Sequence, residues 1–88
     1  PAFIDEEAVV KSGARILPYS VIGSRCTVEH GAEVEGSIIW PHGHLARDAR
    51  VTNSILGRHC HIGRNAVVEG PAVLGDKSAV TDYSRLKI

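Results

Sequence analysis

From residue 10 to residue 86 an aliphatic side chain recurs at an interval of six: Val10, Ile16, Ile22, Val28, Val34, Ile39, Leu45, Val51, Leu56, Ile62, Val68, Leu74, Val80 and Leu86. Two places before each stands a small residue, in order Ala8, Ala14, Ser20, Cys26, Ala32, Ser37, Gly43, Ala49, Ser54, Cys60, Ala66, Ala72, Ser78 and Ser84. No amphipathic helix has this period, because its apolar face returns every 3.6 residues. A six-residue period predicts an all-β chain, a parallel β-helix in which each repeat lays down one short strand.

Two intervals are five residues long, Val34 to Ile39 and Val51 to Leu56, and they lie 17 positions apart. Three hexads make a coil of 18 residues, so a coil with one shortened side has 17. Both deletions therefore fall on the same corner of successive coils. This register predicts a triangular prism of about four to five coils, each rising about 4.8 Å. Its three inward stacks are Val10, Val28, Leu45, Ile62, Val80; then Ile16, Val34, Val51, Val68, Leu86; and Ile4, Ile22, Ile39, Leu56, Leu74. The small residues belong near the corners, where larger side chains would meet the opposite wall. Gly23, Gly57, Gly63 and Gly75 directly follow core residues and are expected to allow the bends of the turns.

Alternation along a strand puts the residue before each inward aliphatic on the outside. On one face these are Arg15, Glu33, Arg50, Val67 and Arg85, beginning as a ladder of alternating sign. On another they are Val9, Thr27, His44, His61 and Ala79. The third face differs: Val21, Ile38, Ile55 and Val73 line up outside, with Trp40 on the same side. A contiguous apolar stripe outside a solenoid whose interior is already filled predicts an interface, and a tryptophan is a favoured anchor for one. The expectation is that this face packs on another subunit, as a homo-oligomer, or on a missing domain.

The histidines pair as His42 with His44 and His59 with His61, 17 positions apart, so the pairs stack on adjacent coils. Four imidazoles in one patch make a weak candidate for zinc or another borderline metal, lacking an evident second shell; a solvated ladder is the plainer reading. His30 falls in a turn without an identifiable partner. Cys26 and Cys60 take small inward sites two coils apart, about 9–10 Å, beyond disulfide reach. They are expected to be free buried thiols, compatible with a reducing cytoplasm.

Composition narrows the function classes. Ten basic and ten acidic side chains cancel among 88 residues, which points away from nucleic acid and anionic membrane surfaces. No apolar run approaches membrane-spanning length. There is no methionine, even at position 1, and neither end carries an obvious cap. The 88 residues are expected to be a single repeat domain, the C-terminal piece of a larger protein. No Ser/His/Asp arrangement, phosphate-cradling GxGxxG or GxxxxGK[ST] loop, or CxxC pair is present, and the carboxylates are spread over turns and ladders. No catalytic residue is assigned.

The segments Val34-Glu35-Gly36-Ser37-Ile38-Ile39-Trp40, Asn53-Ser54-Ile55-Leu56-Gly57 and His61-Ile62-Gly63-Arg64-Asn65-Ala66-Val67-Val68 are similar to the C-terminal β-helix of sugar-nucleotide pyrophosphorylases. The resemblance is to the mannose-1-phosphate guanylyltransferase and glucose-1-phosphate nucleotidyltransferase type, and it covers most of the chain. It implies a left-handed coil, a cytoplasmic parent enzyme that makes NDP-sugars with Mg²⁺ in an N-terminal domain, and a role for this segment in oligomerisation, packing on that domain, or regulation. It implies no cofactor for the segment itself, and the glycine-rich, arginine-containing loop of nucleotidyl transfer is missing. Two alternatives come from the same repeat superfamily. An acetyl-CoA-dependent acyltransferase would need a loop extruded from the coils, for which the intervals leave no room. A zinc hydratase of the gamma-carbonic-anhydrase kind would need three converging histidines, whose family spacing is not matched here.

Overall fold

A computed structural model describes residues 1–87. It contains thirteen strands, all paired in parallel: β1 (Phe3–Ile4), β2 (Val9–Val10), β3 (Arg15–Ile16), β4 (Val21–Ile22), β5 (Thr27–Val28), β6 (Glu33–Glu35), β7 (Ile38–Ile39), β8 (His44–Leu45), β9 (Arg50–Leu56), β10 (His61–Ile62), β11 (Val67–Leu74), β12 (Ala79–Val80) and β13 (Arg85–Lys87). Three faces result. One stacks β2, β5, β8, β10 and β12. A second stacks β3, β6, the first half of β9, the first half of β11, and β13. The third stacks β1, β4, β7 and the second halves of β9 and β11. The coils number about five, in a body of 29 × 22 × 22 Å.

The six-residue period and the two deletions place the inward side chains of the middle coils as expected. Ile22, Val28, Val34, Ile39, Leu45, Val51, Leu56, Ile62 and Val68 are all fully or almost fully buried. Branched aliphatics suit these two- to three-residue strands because they fill a pleated, half-buried surface. The small residues Cys26, Ala32, Ala49, Cys60 and Ala66 are buried beside them.

The shortened corner is made by Glu35-Gly36-Ser37 and Thr52-Asn53-Ser54, where β9 runs through the bend as one strand. The serines there replace lost backbone pairing. The Ser54 N–H donates to Ser37 Oγ at 3.0 Å, while the Ser37 and Ser54 hydroxyls donate to the carbonyls of Glu35 and Thr52 at 2.8 Å. In the next coil the corner regains its residue, and the pairing of β11 with β9 shifts between Glu69 and Ala72. Gly70 lies so close to the Asn53 carbonyl that no side chain fits between them.

The turns are built differently from the sequence expectation. Gly23, Gly57, Gly63 and Gly75 do not adopt left-handed backbone. The left-handed position lies three residues before every aliphatic of the series except Val10 and Leu74: Gly13, Tyr19, Arg25, Gly31, Gly36, His42, Asp48, Asn53, His59, Asn65, Lys77 and Tyr83, with φ between 49° and 79°. Nine of these twelve are not glycine, although such backbone is unfavourable for most L-residues. The conformation turns the amide around. Strand N–H groups donate forward, as Val21 to Ser37 O and Thr27 to Gly43 O. Left-handed residues donate back to the preceding coil, as Tyr19 to Pro1 O, His42 to Ser24 O and Lys77 to Arg58 O. Most corners are thereby hydrogen-bonded in both directions along the axis.

Gly23, Gly57 and Gly63 serve a different need, close approach. A Cβ on Gly23 would stand 2.9 Å from Ile39 O and from Pro41 N, and one on Gly63 would stand 2.6 Å from Asp82 N. Gly75 has no atom within 4 Å of that position.

Candidate functional site

The outward apolar residues fall on one ladder. Val21 pairs with Ile38, Ile38 with Ile55, and Ile55 with Val73. Their exposures are 39%, 40%, 39% and 75% in the order Val21, Ile38, Ile55, Val73. Phe3 pairs with Val21 and extends the ladder by one coil, 69% exposed. Sequence reasoning placed Ile4 in the inward stack but overlooked its neighbour Phe3, which the same alternation puts outside.

Trp40 leaves this strand at the corner, on the same side as the ladder. Its backbone is fixed by a 3.0 Å bond from its N–H to Leu56 O, and its carbonyl accepts the Cys26 thiol at 3.2 Å. The Arg58 guanidinium of the next coil lies 5.7 Å from the ring centroid, within cation–π range. Trp40, Ile55, Arg58, Val73, Leu74 and Asp76 line a shallow open depression. The ladder and the Trp40 ring thus make one apolar surface with a cation at its margin.

The other two faces carry polar ladders. Glu33 sits between Arg15 at 3.2 Å and Arg50 at 3.8 Å, as the alternating ladder predicts. On the face of β2, β5, β8, β10 and β12, His44 and His61 are register partners on β8 and β10, their rings stacked with centroids 4.8 Å apart and their Nδ1 atoms 3.0 Å apart. His44 Nε2 lies 3.0 Å from Glu29 Oε2. His42 and His59, in the left-handed turn positions, stack at 4.6 Å with rings only 5° from parallel. The four histidines therefore form two separate stacks, and among the described residues no three His, Cys, Asp or Glu side chains converge on one point. Glu29, one of the carboxylates spread over turns and ladders, is the partner of His44, whose N–H holds its carboxyl below the usual glutamate range. His30 is also partnered: its Nδ1 lies 3.1 Å from both Ser12 Oγ and Ser12 O. Neither contact was legible, because each joins residues 15 to 18 apart whose side chains meet across a coil step.

Cys26 and Cys60 are buried and free. Burial pushes the Cys26 thiol above the usual cysteine value, which disfavours the nucleophilic thiolate. Among the described residues no loop leaves the coils, and no helix is long and apolar enough to cross a membrane.

Comparison with known proteins agrees with this geometry. The family model described as the GMPPB C-terminal domain matches residues 1–87. The probable mannose-1-phosphate guanyltransferase of Schizosaccharomyces pombe is 41% identical over 81 residues, which cover 92% of this chain and 20% of that protein. The chain thus spans about a fifth of the length of that relative. A solenoid of six-residue repeats with a filled core, matched end to end by one family model, makes this chain a member of the GMPPB C-terminal domain family.

Proposed function

We propose that this chain is the non-catalytic β-helix domain of an NDP-sugar pyrophosphorylase of the mannose-1-phosphate guanylyltransferase type, and that its apolar ladder packs on the catalytic domain of the same polypeptide. The observation that carries this reading is the ladder itself: Phe3, Val21, Ile38, Ile55 and Val73 stand exposed in unbroken register over five coils. A filled solenoid gains nothing from such residues in water, and contiguous apolar surface of this kind marks an interface. The relative extends over four further fifths of its length beyond the matched part, so the occupant favoured here is covalently attached and present at high effective concentration.

In this reading nucleotidyl transfer, and the Mg²⁺ it uses, belong to the catalytic domain, and no side chain of the present residues touches the reacting phosphates. The β-helix supplies a rigid wall against which that domain is held. Two free thiols fit a cytoplasmic enzyme, and the ten basic and ten acidic side chains leave no net charge to draw nucleic acid or anionic lipid.

The test is the double substitution Ile38→Glu with Ile55→Glu in the intact protein. Two buried charges in an apolar contact are costly, so the domains should separate. The expected result is faster limited proteolysis between them, with lowered guanylyltransferase activity and an unchanged sedimentation coefficient for the assembled particle. A smaller particle with an unchanged cleavage pattern would instead assign the ladder to contacts between subunits. No change in any of the three would remove it as an interface.

A further inference from the structure

We propose that His44 and His61 form a two-histidine chelate for a borderline divalent transition-metal ion, with Glu29 as the carboxylate that orients His44. The two residues are direct register partners on adjacent parallel strands, so backbone hydrogen bonding, not side-chain chance, sets their approach. Their Nδ1 atoms face one another at 3.0 Å. Two imidazole nitrogens at that separation, each about 2.0–2.1 Å from a shared ion, subtend about 95° at it. That is the cis angle of a tetragonal ion such as Cu²⁺ or Ni²⁺. A small opening of the pair, to about 3.4 Å, gives the tetrahedral angle of Zn²⁺.

The proton inventory makes the pair ready for a cation. Glu29 Oε2 lies 3.0 Å from His44 Nε2, so in the neutral imidazole the Nε2–H donates to the carboxylate and the lone pair of His44 is left on Nδ1. This is the arrangement in which metal-ligating histidines are held, with the second ring nitrogen donating to a carboxylate. It is also the second shell that sequence reasoning did not find. With His44 Nδ1 an acceptor, the 3.0 Å contact needs its one proton on His61 Nδ1. An incoming metal takes the place of that proton, and neutral His61 moves to its Nε2–H tautomer, so no net proton is released. Water completes the coordination. Asp82, ion-paired with Arg64, lines the same open depression as His61. The second stack, His42 with His59, has parallel rings in turn positions and no carboxylate hydrogen-bonded to it among the described residues. It serves as an internal control.

The experiment adds Cu²⁺ to the intact protein at neutral pH and records its electron paramagnetic resonance, with Zn²⁺ binding followed in parallel by calorimetry. One equivalent of Cu²⁺ should show coupling to two imidazole nitrogens. Either His44→Gln or His61→Gln should abolish the two-nitrogen signature and weaken Zn²⁺ binding tenfold or more. Glu29→Gln should keep both nitrogens and weaken binding about 10- to 100-fold. His42→Gln with His59→Gln should change neither. Circular dichroism of each variant checks that the coil is intact. The absence of two-nitrogen coupling in the unaltered protein overturns the proposal whatever the variants do. So does binding that survives His44→Gln and His61→Gln, or that disappears with His42→Gln and His59→Gln.

Discussion

At Gly63 a Cβ would stand 2.6 Å from the Asp82 amide nitrogen and 2.8 Å from the Thr81 carbonyl carbon, both in the next coil. At Gly75, which occupies the equivalent place after an inward leucine, nothing lies within 4 Å. The two glycines look alike in sequence and differ only in whether a coil lies over them. Backbone atoms cannot swing aside as a flexible side chain does, so Gly63→Ala must separate two coils that are hydrogen-bonded through Gly63 N and Val80 O. The expected loss is about 1–3 kcal/mol, typical of overpacking. Gly75→Ala should stay within about 0.5 kcal/mol of the unaltered chain. Urea unfolding of the two variants, read at the midpoint, separates these outcomes; equal losses would mean that Gly75 too is covered.

Among elements, the strands were legible and the corners were not. Strand positions obey a period that aliphatic residues reveal, and the paired deletions even locate the shortened side. The left-handed corner position is occupied by Tyr19, Arg25, Lys77 and Tyr83 as well as by glycine, Asn and Asp, so no residue type marks it. At most of these positions it accompanies a hydrogen bond to a residue one coil back, which sequence proximity does not display. The same holds for the corner bridge formed by Asp82, whose Oδ1 accepts from the Arg64 N–H at 2.8 Å and whose Oδ2 lies 3.2 Å from Arg64 Nη2. The backbone donor first, and the Arg64 side chain after it, hold the Asp82 carboxyl below the usual aspartate range. A carboxyl whose pKa is lowered by folding adds stability above its unfolded value, near 3.9, and that contribution is lost as pH falls through the lower folded value. Asp82→Ala should therefore lower the urea midpoint at about pH 6, and the gap from the unaltered protein should close progressively below about pH 4. A gap of constant size across that range would show that the aspartate acts by packing and not by charge.

At the scale of the whole molecule, a solenoid distributes its stability unevenly, because each coil touches only its neighbours. The third inward stack shows this on matched residues. Ile22 and Ile39 are 1% exposed, whereas Ile4, directly paired with Ile22, is 47% exposed. Leu56 is fully buried, whereas Leu74, its partner in the following coil, is only half-buried. The same side chains therefore do different amounts of work according to their height along the axis. Ile39→Ala leaves a cavity walled on both sides and should cost about 2–5 kcal/mol. Ile4→Ala removes atoms already largely in water and should cost well under half of that. Amide hydrogen exchange should follow the same profile, slowest in β5 to β10 and faster toward β1 and β13, since protection tracks local opening. The proposed docking of the ladder adds a further term, because Phe3, Val21, Ile38, Ile55 and Val73 span the full height of the prism. A catalytic domain seated along that face would clamp the end coils to the middle ones. Ile38→Glu with Ile55→Glu should then speed exchange in β1 and β4 more than in β8 or β10, which lie on another face. A uniform change across all three faces would mean that the substitutions weaken the coil itself and that nothing is seated on the ladder.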